Sequence, residues 1–256
     1  MNSPLSKIRD FFRRRKNIRG VFYYPLMFLF FSAVLIFSIS IFFRVSKIEV
    51  IGNERYSDQE VTIASGIEEG ENLLFMNRFR AVSRIFARLP YVESVSVSRK
   101  LPNRSVIEIK ESIPIAYVTI EGQEWIIGRN SKVLSQAKKE DLKNLINVIG
   151  VSPIDPTIGE MMKVDDADKD RVQFLCDVLN QIQERNLMSD VSNLDLTNEE
   201  NVSFTYLDRF FVQVGNNTDL ISKFGKMISA VAKLTPGDMG ALDLSPSGND
   251  VYFRPE

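Results

Sequence analysis

The sequence predicts an α+β protein in three parts: one apolar helix near the start, then two compact units that each combine helices with a sheet. Three observations carry this. Residues 21–43 form a 23-residue run without a formal charge. Residues 44–113 read as strand, helix, helix, strand, strand. Residues 114–256 alternate short strands, several in hairpin pairs, with two helical stripes.

The apolar run, VFYYPLMFLFFSAVLIFSISIFF, spans about 35 Å as a helix, against about 30 Å of bilayer hydrocarbon. Pro25 falls in its first turn, where a missing N–H matters least. A cleaved signal peptide has a shorter apolar region ending at a small-residue site; this run ends in IFFRVS. A core helix of a soluble protein is usually shorter and has a polar face. An uncleaved membrane anchor is therefore expected. Residues 1–43 carry seven Lys and Arg against one acid, Asp10. The positive-inside rule puts a basic tail, residues 1–20, in the cytoplasm and residues 44–256 outside, a type II single-pass arrangement. Arg19, Tyr23, Tyr24 and Arg44 are expected at the membrane interfaces.

The outer part holds 25 basic and 32 acidic residues, a net −7. That sign disfavours nucleic acid and anionic wall polymers as ligands. One cysteine excludes an internal disulfide framework. Cys176 lies on the stripe Val172, Leu175, Cys176, Leu179, Ile182 and reads as a small core residue. Without histidine, common zinc sites and His-dependent triads are impossible.

In residues 44–113, Ile48 and Val50 alternate with Lys47 and Glu49 as a strand. Ser57 and Glu60 form a capping box, Tyr56 and Val61 a hydrophobic staple, and Gly66 a helix stop. Phe79, Val82, Ile85, Phe86 and Leu89 give a second helix from Asn77 to Leu89 its apolar face. Arg80, Arg84 and Arg88 stripe the opposite side, read as solvated or as a contact for headgroups or an acidic partner. After Pro90, Val95 and Val97, then Ile107 and Ile109, alternate with polar residues as a hairpin around Lys100–Arg104.

This segment resembles the polypeptide-transport-associated (POTRA) domain of the FtsQ/DivIB cell-division proteins. The matching features are Val45–Asn53, the stretch LPYVESVSVSRKLPNRSVIEI, and the E-x-x-P-I-A exit at Glu111–Ala116.

Beyond it, IAYVTIEG and QEWIIG read as paired strands around Glu121-Gly122, and LINVIGV as another strand. Helices are expected from Ala167 to Arg185 and over the stripe Leu220–Leu234. VSNLDL is a strand, VSFTYLDRFFVQVG a hairpin turning at Leu207–Arg209, and ALDL and VYF two closing strands around Ser245–Asn249. This half resembles the FtsQ/DivIB β-domain, through Val202–Leu234 and the closing Ala241–Pro255.

Two patterns have a precedent in catalysis or metal binding. Ser135 and Lys138 fit the S-x-x-K of a membrane-anchored cell-wall enzyme, but the S-x-N and K-T-G companions are missing. Asp166, Asp168 and Asp170 fit the start of an EF-hand loop, but Arg171 and Asp177 stand where Gly and Glu belong. There is no P-loop and no dinucleotide fingerprint. No catalytic, cofactor or metal site is expected, and the reading is of a non-enzyme. The last strand, Asp250–Arg254, is expected at a sheet edge that can accept a partner strand. The resemblance implies a septal scaffold binding FtsB/DivIC- and FtsL-type division proteins. It places that contact on Val251, Tyr252 and Phe253. A POTRA protein of polypeptide translocation is the other alternative, weakened by the single POTRA unit.

Overall fold

The computed structural model describes residues 18–245 and 251–255. Helix α1 runs Ile18–Phe42 and contains Pro25. Its segment Tyr23–Phe42 is long and apolar enough to cross a membrane and is not buried in the fold. The basic tail before Ile18 lies outside the described residues. Arg19 falls in the first turn of α1, and Tyr23 and Tyr24 are exposed.

The first folded unit has the expected order: β1 (Lys47–Ile51), α2 (Asp58–Ser65), α3 (Arg78–Arg88), β2 (Val92–Lys100) and β3 (Arg104–Glu111). β3 is central, antiparallel to β2 and parallel to β1. The capping box forms as read: the Glu60 amide donates to Ser57 Oγ and the Ser57 amide to the Glu60 carboxylate. Gly66, at φ +65°, ends α2 in the left-handed conformation. Val61, Leu73, Ile85, Val92 and Ile107 share the core between helices and sheet.

Two readings of α3 are corrected. Phe79 is 82% exposed, so it is not part of the apolar face; Ala81 and Ile85 are the buried residues. The arginine stripe is not simply solvated. Arg88 Nη1 donates to the Ile63 carbonyl (3.1 Å) and Arg84 Nη1 to that of Gly66 (3.5 Å). A helix leaves its last carbonyls unpaired, and these cations complete the end of α2.

The second unit is a nine-stranded mixed sheet, in the order β12-β11-β10-β9-β8-β7-β4-β5-β6. The strands are β4 (Ala116–Ile120), β5 (Gln123–Ile127), β6 (Val133–Gln136), β7 (Ile146–Ile149), β8 (Val191–Asp195), β9 (Val202–Tyr206), β10 (Phe210–Gly215), β11 (Gly240–Asp243) and β12 (Tyr252–Pro255). Helices α4 (Lys169–Glu184) and α5 (Leu220–Val231) share one core with the inward residues of the sheet. Phe224 of α5 stacks on Phe204 of β9, centroids 5.5 Å apart. Strand β6 was not foreseen. Most of the expected closing turn Ser245–Asn249, and Asp250 at the expected start of the last strand, lie outside the described residues.

Candidate partner-binding edge

The two ends of the nine-stranded sheet are treated differently. At β6 the start of the strand is covered. The Val133 amide donates to the Glu160 carbonyl (2.9 Å), and the Gly159 amide donates to Val133 O (2.8 Å). The same end meets the first unit. Lys132 Nζ donates to Val92 O (2.7 Å), Arg129 Nε to Glu93 (3.1 Å), and the Tyr91 and Ser135 hydroxyls lie 2.9 Å apart. Burial pulls the Lys132 ammonium below its ordinary pKa, with the Glu93 charge acting against that.

At the other end stands β12. It pairs antiparallel with β11, and among the described residues no strand pairs with its outer side. A close approach makes this last pairing possible. Gly240 has φ +147°, and a Cβ there would lie 2.1 Å from the Arg254 carbonyl oxygen. Only glycine lets the two backbones come so near. The loop before β11 is held from below. Arg209 Nη1 donates to the carbonyls of Thr235 (3.0 Å), Pro236 (2.8 Å) and Asp238 (3.2 Å), and the guanidinium lies over the Phe210 ring.

Alternation sorts the side chains of the edge. Phe253 faces Leu242 across the pair and meets Phe210 edge-on at 6.2 Å; it and Val251 pack against the core. Tyr252 faces Asp243 on the opposite face and is 52% exposed. The same outward face carries Arg254 opposite Ala241, and Ala241 opposite Phe211 of β10. Phe211 is itself half exposed. Reading the sequence missed Phe211, although its alternation with Phe210 and Val212 was signal enough: one of two adjacent phenylalanines in a strand must face away from the core.

The other sequence candidates fall elsewhere. Ser135 lies in strand β6 and not at a helix start, so the S-x-x-K arrangement lacks the local structure that chemistry needs. Asp166 pairs with Lys169 and Asp168 with Arg171, and among the described residues no group of metal-ligating side chains converges. Cys176 is half-buried on α4, and burial pushes its thiol pKa up. Glu111, quoted only as part of an exit pattern, has a definite task. Its carboxylate accepts the backbone amides of Glu54 (3.3 Å), Arg55 (2.7 Å) and Tyr56 (3.1 Å). It thereby fixes the end of β3 to the loop before α2.

Comparison with known proteins agrees with this architecture. A family model for the POTRA domain of FtsQ type matches residues 43–112. The cell division protein DivIB of Clostridium botulinum (strain Hall) is 28% identical, over 94% of this chain and 93% of its own length. DivIB of Clostridium tetani is 26% identical, over 83% of this chain and 80% of its own. The cell division protein FtsQ of Corynebacterium glutamicum is 37% identical over a shorter stretch, 33% of this chain and 42% of its own. The first unit is thus an FtsQ-type POTRA domain, and over most of its length the chain is similar to the DivIB and FtsQ cell division proteins.

Proposed function

We propose that this cell-division protein is a non-enzymatic, single-span scaffold, anchored with its tail in the cytoplasm and both folded units outside, at the division septum. Its β12 edge takes up an extended segment of an FtsB/DivIC-type partner. Through that partner and an FtsL-type protein, the scaffold helps organise septal wall synthesis.

The observation that carries this reading is the bare last strand. An exposed edge displays unpaired N–H and C=O groups, a template for one more strand, and proteins usually cover such edges. Here the opposite edge is covered at its start, and among the described residues no strand covers β12. Tyr252 gives the added strand an aromatic anchor, while Val251 and Phe253 hold the edge to the core. The orientation follows from the charge difference across the span.

The test is a pull-down of the full-length protein, purified in detergent, against the DivIC-type partner of the same cell, repeated with Tyr252→Glu. Binding by the wild type and its loss in the variant is the expected result. Equal binding by both would remove the edge assignment; no binding by the wild type would remove the scaffold reading.

A further inference from the structure

We propose that the protein touches its membrane twice: beside the span, Phe75 and Phe79 enter the interfacial layer of the outer leaflet. This rests on the membrane reading of α1. The partner is lipid, because this corner of the fold is continuous with the span. Asn72 Nδ2 donates to the Ser40 carbonyl (3.4 Å), the Leu73 amide to the Phe43 carbonyl (2.7 Å), and Arg44 and Asn72 form an isolated antiparallel bridge. Ser40 lies within the apolar segment Tyr23–Phe42, so these bonds hold Asn72 level with the last turn of the span.

Three residues reach at most about 11 Å, which bounds the distance from Asn72 to Phe75. The chain turns back at once, with the Phe75 and Met76 amides both donating to the Asn72 carbonyl, which holds Phe75 nearer still. Leu73 and Met76 are buried in the POTRA core, and Phe75 between them turns outward, 81% exposed. Phe79, four residues on, is 82% exposed. A lone exposed hydrophobe means little. Two phenylalanines at the exit of an apolar span stand where aromatic side chains gain most from the headgroup layer.

Charge leaves the lipid type open. Exposed Arg44, Arg78 and Arg80 face an equal number of exposed acids, Glu68, Glu69 and Glu71, on the preceding loop. The contact is therefore aromatic in origin, and zwitterionic lipid suffices.

The full-length chain, reconstituted into phosphatidylcholine vesicles brominated high on the acyl chains, tests this. Single tryptophans replace Phe75 or Phe79 in a Trp125→Phe background, with Phe30→Trp as a control inside the span. We expect tryptophans at 75 and 79 to be quenched by the bromines several-fold more than native Trp125. Quenching no greater than that of Trp125, with the Phe30→Trp protein strongly quenched, overturns the second contact and leaves the anchor intact. Shielding of positions 75 and 79 from both bromines and aqueous iodide also overturns it, since protein would then cover them. An unquenched Phe30→Trp protein would instead overturn the membrane reading of α1.

Discussion

The two ends of the nine-stranded sheet present the same problem and solve it in opposite ways. β6 meets the 159–162 segment with paired amides and carbonyls, and leans on the POTRA unit through Lys132, Arg129 and Ser135. β12 meets nothing among the described residues on its outer side. An open edge is a hazard unless a partner fills it or shortness, charge or proline guards it, and β12 is four residues long and ends in Arg254 and Pro255. The contrast teaches that exposure alone is weak evidence of function, whereas an edge left open where its sibling is closed is stronger.

Substitutions at the open end should act most strongly. Gly240→Val should force β12 from β11, costing about 3 kcal/mol through a steric clash and a backbone conformation that valine resists. Faster hydrogen exchange confined to the β11 and β12 amides, with loss of partner capture, would register it; unchanged exchange would mean that the close approach is dispensable. Tyr252→Glu should leave thermal stability nearly unchanged, because the side chain is half exposed, and weaken the partner by about 30-fold, the loss of an aromatic anchor worth about 2 kcal/mol. Isothermal titration measures it.

At the closed end the expectation reverses. Lys132→Met leaves the Val92 carbonyl without its ammonium donor and should cost about 1–2 kcal/mol of stability in denaturant unfolding, with partner affinity unchanged. Reduced affinity there would show that the two ends are coupled. The smallest effect is a pH dependence. The Lys132 pKa is lowered by folding, so between that value and the ordinary 10.5 the unfolded chain binds more protons. Stability from this residue therefore rises with pH through that window and is flat below it. The wild type should gain on Lys132→Met as pH climbs through this range, as paired urea titrations would measure.

Much of this was legible in the sequence, and the reason is local. The Ser57–Glu60 box, the Gly66 stop, the Pro90 break and the Leu207–Arg209 turn are set by neighbours within five residues, so they can be read without a fold. Strand β6 was missed because Val133–Gln136 is only four residues long and runs into a lysine-rich stretch with no alternation to separate it. Strand order was beyond reach for another reason. β4 pairs with β7 and β10 with β11 in parallel, and each pairing joins segments separated by a long connection that leaves no local pattern. Phe79 sits at helical spacing with Val82 and Phe86, yet periodicity could not tell that this first-turn residue overhangs the core. The edge residues Tyr252 and Phe253 were readable through alternation; Phe211, which shares their sheet, needed the register before it could join them.

The order of the strands also sets a length. Nine strands leave eight gaps, and at about 4.8 Å each the open edge stands roughly 38 Å from the closed one. The sheet is thus a spacer with a hydrogen-bonded ladder for its rungs. A protein that grips β12 is held at that standoff from the POTRA unit, whatever its own sequence. Adding or removing a hairpin at the β4–β6 end would change the standoff in steps of about two strand spacings without altering a residue of the gripping surface.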